Sequence, residues 1–140
     1  MKDNDLKLYQ ISHIIVGVSI MLIIVAIHIF RIGSYLSGKS YLLYYSFASD
    51  MIIPFGMYFL LSINEVQIRF LRKWQTKAII VFGISTFTEI MQAFGIYFLG
   101  VTFDLIDILM FGIGVAVAVF FDKQIFERFI PHWKLNNVNG

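Results

Sequence analysis

Four long apolar runs, separated by short polar stretches, make up most of this chain. A helix that crosses the hydrocarbon core of a bilayer, about 30 Å thick, needs about 20 consecutive and mostly apolar residues. By this criterion the pattern predicts membrane-spanning helices at residues 12–32, 42–62, 76–98 and 105–122. Because the connections are short, we expect a single all-α domain over residues 1–140, built as a four-helix transmembrane bundle.

The first apolar run begins near Ile11 and ends near Phe30, and no small-x-small cleavage site follows it. The apolar core of a signal peptide has about 7–15 residues, which is shorter than this run. We therefore expect the run to be retained as the first membrane-spanning helix.

Composition supports a membrane protein, since 59% of the residues are hydrophobic and only 14% are charged. Soluble domains carry about 25% charged residues. The chain has no cysteine, which excludes disulfides, thiolate nucleophiles and metal sites with cysteine ligands. We expect no cofactor and no resident metal.

Lysine and arginine fall mainly on one side of the predicted bundle. Nine would lie with the N-terminus, the second connection and the C-terminal tail, and only Arg31 and Lys39 would lie on the other side. The nine are Lys2, Lys7, Arg69, Arg72, Lys73, Lys77, Lys123, Arg128 and Lys134. Cytoplasmic loops are enriched in these residues, so both termini are predicted to be cytoplasmic.

Two segments on the predicted cytoplasmic side, residues 63–74 and 123–134, mix basic, apolar and aromatic residues. Amphipathic basic helices with Trp and Phe bind well in the headgroup layer, so we expect both segments to be interfacial helices that contact membrane lipids. Nucleic-acid binding is not expected, because the basic residues flank apolar runs and no recognition motif accompanies them.

Three acidic residues, Asp50, Glu89 and Asp107, lie inside or at the edge of apolar runs. From a helix rise of 1.5 Å per residue, Asp50 would lie about 12 Å and Glu89 about 10 Å below the extracytoplasmic boundary. A carboxylate in hydrocarbon is costly and is usually functional. The alternative is a structural hydrogen bond to Gln92 or Ser46.

Further polar residues lie in the same predicted outer half, so that together with Asp50 every predicted helix contributes a polar group. They are Ser85 and Gln92, which form one stripe with Glu89; Asp104, three residues before Asp107; and His28 and Arg31, at the end of the first helix. Three of them have simpler interpretations. Asp104 could be a helix N-cap, Arg31 a snorkelling residue, and His28 an interfacial histidine.

Taken together, these positions predict an acidic pocket open to the extracytoplasmic side. Its candidate ligand-binding residues are Asp50, Glu89, Gln92, Asp104, Asp107, Arg31 and His28. The inner half of the bundle is expected to be nearly free of polar residues. Burial and a like-charged neighbour both favour a neutral carboxyl, so a protonated Glu89 would donate a hydrogen bond to Asp50.

The predicted fourth helix also carries two pairs of small residues spaced four apart. They are Gly112 with Ala116 and Gly114 with Ala118. Such pairs let helices approach closely, so we expect them to serve packing.

Several of these residues resemble a known pattern, that of VanZ-like membrane proteins. The matching positions are Glu89-x-x-Gln92, Phe103-Asp104-x-x-Asp107, Gly114 and Asp50. The chain departs from the family where Met51, Pro54, Val101 and Phe111 replace its Lys, His, Arg and Asn. The resemblance implies a bacterial cell-envelope protein linked to resistance to teicoplanin-type glycopeptides. Arg31 could replace the missing loop arginine as counter-ion, since both would lie at the outer surface.

Several functions stay open. The acidic pocket could bind a lipid headgroup or a lipid-linked cell-wall precursor. Paired carboxylates could instead serve as acid and base in an intramembrane enzyme acting on a lipid, although no HExxH, P-loop or Ser/His/Asp signature is present. A proton or cation pathway would need polar residues in the inner half. A homo-oligomer or a subunit of a membrane complex is also compatible with the sequence.

Overall fold

The computed structural model of the protein describes residues 3–95 and 104–134. Four helices, and no strand, occupy this part of the chain. Helix α1 is Asp3–Ile29; α2 comprises Gly38–Leu43, a π turn at Tyr44–Ala48 and Ser49–Ser62; α3 is Trp74–Ala93; and α4 comprises Leu105–Phe120, a π turn at Phe121–Phe126 and Glu127–Phe129. The all-α prediction and the four helices are therefore confirmed.

Two helices in the described part are long and apolar enough to cross a membrane, Asn4–Ile29 and Leu105–Phe129. Little of either is buried inside the bundle. Large apolar side chains such as Leu22, Ile79 and Leu105 are 64–71% exposed on the outer surface of the bundle. Charged residues interrupt α2 and α3, which is why these two helices are less apolar.

The second half of α2, Ser49–Ser62, is the central element and packs against α1, α3 and α4. A Cβ atom on Gly114 of α4 would lie 2.3 Å from the backbone oxygen of Met51, so only glycine permits this crossing. Gly114 and Ala118 are buried, as expected for packing residues. The other pair of small residues does not contact α2 in this way. Gly112 lies beside Phe82 of α3, and Ala116 is exposed.

The buried apolar core lies toward the end of the bundle where α2 and α4 finish and α3 begins. Trp133 reaches it from the segment that follows α4. Its buried members are Tyr58, Phe59, Val81, Val115, Ala118 and Trp133.

Helix boundaries differ from the predicted spans at several points. Helix α1 begins at Asp3 rather than near residue 12, so Tyr9 and His13 are helical. Helix α3 ends at Ala93 rather than residue 98, with Gly95 at a φ of +77° just beyond it. The predicted residues 96–98, and the family positions Val101 and Phe103, lie outside the described residues.

The prediction of two surface helices is wrong for residues 63–74 and only partly right for residues 123–134. The first segment is a turn followed by a 3₁₀ helix, Arg69–Arg72, and it buries Glu65 and Leu71. The Arg72 guanidinium donates hydrogen bonds to the carbonyls of Glu65 (3.0 Å) and Val66 (3.4 Å), so a side chain satisfies backbone groups that a helix would have paired. In the second segment α4 continues to Phe129 and the chain then turns to bury Trp133.

Candidate functional site

Three carboxyl groups from three helices, Asp50 of α2, Glu89 of α3 and Asp107 of α4, form a group termed here the acid cluster. The carboxyls of Asp50 and Asp107 lie within hydrogen-bonding reach of each other, and Glu89 lies within electrostatic range of both. An ionised carboxylate only accepts hydrogen bonds, so a bond between two carboxyls requires a proton on one of them. The close crossing of α2 and α4 at Gly114 keeps the Asp50–Asp107 pair together.

Glu89 has a different partner from the one the sequence predicted. Its Oε1 accepts a hydrogen bond of 2.9 Å from the backbone N–H of Asp104. Asp107 is the carboxyl within hydrogen-bonding reach of Asp50, and the predicted hydrogen bond from Glu89 to Asp50 is not seen among the described residues. Asp104 is the N-cap of α4, and its Oδ1 accepts from the N–H of Ile106 at 2.9 Å. Glu89 thus ties the end of α3 to the start of α4.

The backbone of α2 is irregular on both sides of Asp50. A π turn, Tyr44–Ala48, ends two residues before it, and π turns within helices are frequent at functional sites. Pro54 lies one turn after Asp50 and has no N–H to donate to the Asp50 carbonyl.

The acid cluster and the polar residues beside it differ in solvent exposure. Glu89, Gln92 and Ser85, the predicted polar stripe of α3, are all buried. Asp50 and Asp107 are partly exposed and Asp104 is exposed. The Asp50–Asp107 pair is therefore accessible from outside the bundle, whereas Glu89 is enclosed.

The remaining two candidate residues, His28 and Arg31, are not brought to the acid cluster. Both are exposed and line a separate hollow of about 160 Å³ with Tyr44 and Ser49. The Nδ1–H of His28 donates to the Ile24 carbonyl at 2.8 Å. Within residues 3–95 and 104–134, no lysine or arginine forms a salt bridge with the acid cluster. The expected role of Arg31 as counter-ion is thus not seen in the structure.

A second polar group, which the sequence did not predict, surrounds Lys77 at the start of α3. The Lys77 ammonium donates to Glu65 and to Ser62 Oγ at 2.9 Å, and it lies 3.3 Å from Asp122 Oδ2. All four side chains are buried. From Lys77 to Glu89 is twelve residues, or about 18 Å along the helix, so this group lies at the other end of the bundle.

Aromatic and imidazole side chains complete the partners of the two carboxylates. Asp122 accepts hydrogen bonds from the Tyr58 hydroxyl at 2.5 Å and from Trp133 Nε1 at 2.7 Å. Glu65 accepts from the Tyr9 hydroxyl and lies 3.7 Å from His13 Nε2. The residues Tyr9, His13, Tyr58, Ser62, Glu65, Lys77, Asp122 and Trp133 are termed the lysine network. Buried charges that are paired and fully hydrogen-bonded are typical of a structural network.

The prediction that the inner half of the bundle lacks polar residues is therefore wrong. It failed because Lys77 counts among the basic residues of the predicted cytoplasmic side, although the fold buries it beside Asp122 and Glu65. One signal was available in the sequence: Glu65 is acidic in a segment whose other charges are all basic. A second was the spacing of Tyr9 and His13, which places both on one face of a helix.

Within the described ranges, no three His, Cys, Asp or Glu side chains are arranged to hold a metal ion. Comparison of the chain with protein-family models, curated proteins and solved structures finds no match. The VanZ-like resemblance thus stays a prediction that depends on the motif residues alone.

Proposed function

We propose that this chain is a multi-pass protein of the bacterial inner membrane with four membrane-spanning helices and both termini in the cytoplasm. The nine-to-two distribution of basic residues supports this orientation. The two long apolar helices and their exposed apolar side chains support membrane insertion. In this orientation the acid cluster lies toward the extracytoplasmic side and the lysine network toward the cytoplasm.

The absence of native cysteine gives a direct test of this topology. Ser37, before α2, and Gln75, in the first turn of α3, are both exposed. In intact cells, a membrane-impermeant thiol reagent is expected to label a Ser37→Cys variant and to label Gln75→Cys only after lysis. Labelling in the opposite order would refute the proposed orientation.

The function we propose for the acid cluster is binding of the cationic head of an amphipathic ligand, such as a lipid or the amine-bearing part of a lipid-linked cell-wall precursor. The observation that carries this proposal is the Asp50–Asp107 pair, which is accessible and has no salt-bridge partner in the described part of the chain. Two carboxyls that hold one proton between them keep one negative charge, and a ligand ammonium group would supply the missing counter-ion. An anionic head alone would be repelled.

The VanZ-like motif residues support a cell-envelope setting and a link to teicoplanin-type glycopeptide resistance. This part of the proposal predicts that expression of the chain lowers teicoplanin susceptibility of a host cell. The Asp50→Asn variant is expected to lose that effect. Equal susceptibility with and without the chain would remove the resistance link and leave cation binding to be tested separately.

Cation binding is tested with a fluorescent long-chain alkylammonium titrated into the purified protein in neutral detergent. A hydrogen bond to a charged group contributes about 1.5–3 kcal/mol. The Asp50→Asn/Asp107→Asn double variant is therefore expected to bind at least about tenfold more weakly, which corresponds to about 1.4 kcal/mol. Asp5→Asn, at an exposed position on α1, is the control and is expected to bind like wild type. Equal affinity of the double variant and wild type would refute the site.

The same pair supports a second candidate function, an enzyme acting on a lipid. Two carboxyls that share a proton can act as general acid and general base. Turnover of a lipid phosphate by the purified protein, lost in Asp107→Asn and retained in Asp5→Asn, would favour catalysis over binding alone.

A further inference from the structure

A cavity of about 440 Å³ opens at the lysine-network end of the bundle. The network residues Tyr9, His13 and Trp133 form part of its wall. Five basic side chains also line it, and they are termed the basic rim: Arg69, Arg72, Lys73, Lys123 and Lys134. The proposed function of the acid cluster uses none of these residues.

The carboxylates that line the cavity already have cationic partners. Glu65 and Asp122 are paired with Lys77 beneath them. Glu127 is paired with Lys123 and lies 3.7 Å from Lys134. Each carboxylate among the described residues that line the cavity is therefore paired with a cation.

Three members of the basic rim, Arg69, Arg72 and Lys73, form no salt bridge with any residue in the described ranges. Arg69 and Lys73 are exposed, whereas Arg72 holds the connecting segment through backbone carbonyls. These charges make the opening of the cavity positive, whereas the carboxylates deeper in the cavity are neutralised by their cationic partners. Guanidinium and ammonium groups in this arrangement favour phosphate, which a guanidinium can bind with two parallel hydrogen bonds.

The surroundings favour a phosphate that belongs to a lipid. Phe70 and Phe129 are 58% and 76% exposed, and Trp74 is also exposed. All three are close in sequence to members of the basic rim. Aromatic side chains beside basic ones are typical of the membrane–water interface. The cavity volume is also within the range of about 300–1,000 Å³ found for small-ligand sites.

We infer that this cavity binds the phosphate headgroup of an anionic phospholipid, with the acyl chains lying on the neighbouring apolar surface. The inference uses the proposed membrane location but is independent of the acid cluster. Failure of cation binding at Asp50 and Asp107 would therefore leave it intact.

Trp133 provides the measurement, because Trp133 and Trp74 are the two tryptophans of the chain. In a Trp74→Phe background, the fluorescence of Trp133 reports on the cavity wall. The protein, in neutral detergent, is titrated with short-chain phosphatidylglycerol, with phosphatidylcholine of the same chain length, and with inorganic phosphate. We expect a saturable change with phosphatidylglycerol, at a concentration where the other two produce little change.

An Arg69→Gln/Lys73→Gln double variant removes two exposed rim charges without touching the lysine network. Each basic residue near an anionic lipid contributes a factor of about five, so affinity is expected to fall about 10- to 30-fold. Lys39→Gln/Arg128→Gln is the matched control, since it removes two exposed charges that do not line the cavity. The control is expected to bind like wild type.

Salt provides a second measurement that needs no variant. Raising ionic strength is expected to weaken phosphatidylglycerol binding to the Trp74→Phe protein, because exposed charges are screened. Equal responses to both lipids, equal losses in the rim and control variants, or salt-independent binding would overturn the inference. Saturation by inorganic phosphate at the same concentration as the lipid would also overturn it, because the site would then recognise soluble phosphate.

Discussion

Asp50 and Asp122 are the same residue type in the same bundle, yet their surroundings differ completely. Asp122 is buried, lies beside the Lys77 ammonium and accepts hydrogen bonds from Tyr58 and Trp133. Asp50 is partly exposed, and its close partner is another carboxyl, Asp107. One end of the molecule thus neutralises its acids internally, and at the other end the acids have no salt-bridge partner in the described part of the chain.

This difference separates a structural role from a functional one. A buried charge whose partners are complete contributes specificity and depends strongly on each partner. A carboxyl pair without a counter-ion costs free energy in the folded chain. Like-charge pairs of this kind are common at functional sites. Substitutions that leave side-chain shape nearly unchanged should therefore have opposite effects at the two ends.

The largest effect is expected when Lys77 is replaced by Met. Glu65 and Asp122 would then be buried without a cation, and breaking a buried ion pair in this way costs about 3–5 kcal/mol. Lys39→Met, at an exposed position near the start of α2, is the control and should change stability by less than about 0.5 kcal/mol. The free energy of unfolding in mixed micelles measures both. Similar values for the two variants would show that the lysine network is not structural.

The same Asp→Asn substitution at both ends tests the comparison itself. Asp122→Asn keeps the side-chain size but loses its charge–charge pairing and its charged hydrogen bonds, at a cost of about 1.5–3 kcal/mol. Asp50→Asn removes a charge that faces another carboxyl, so stability should stay within about 0.5 kcal/mol of wild type or rise. Equal destabilisation by the two substitutions in an unfolding titration would contradict the proposed division of roles.

A smaller effect is expected from Gly114→Ala, which alters the helix crossing that keeps Asp50 near Asp107. The added Cβ would lie 2.3 Å from the Met51 oxygen, so the helices must shift, at a cost of about 1–3 kcal/mol. Alkylammonium binding should weaken together with stability.

Gly83→Ala is the matched control, because nothing lies within 4 Å of its added Cβ. It should gain up to about 1 kcal/mol from helix propensity. Unchanged binding in Gly114→Ala would mean that the crossing does not position the pair.

The sequence predicted the helices well because apolar runs and polar connections leave few alternatives. It also identified Asp50, Glu89 and Asp107, since carboxylates inside apolar runs are conspicuous. Which of these carboxyls pair was not predictable. That depends on the contact of Gly114 with Met51 and on the use of the Asp104 N–H by Glu89.

The lysine network was missed for a different physical reason. Its members come from all four helices, from the connection after α2 and from the segment after α4, so no local pattern unites them. A basic residue near the end of an apolar run is usually interfacial. Only the fold shows that Lys77 points inward, because Glu65 and Asp122 are buried beside it.

The network also bears on a transport role. A proton or cation pathway needs polar residues in both halves of the bundle, and the lysine network supplies them in the half that was expected to lack them. Between the acid cluster and the lysine network, however, lie the buried apolar side chains Val81, Val115 and Ala118. Among the described residues this layer is apolar, so binding stays the function that we propose for the acid cluster.

The most direct test of the division between the two ends is the rise in melting temperature caused by a saturating alkylammonium, measured on wild type, Asp50→Asn and Asp122→Asn. A ligand at about 100 times its Kd stabilises the folded state by about 2.7 kcal/mol. We expect wild type to show the rise, Asp50→Asn to lose it while remaining as stable as wild type, and Asp122→Asn to start lower yet keep the full rise. A rise that persists in Asp50→Asn, or that disappears in Asp122→Asn, would contradict the account.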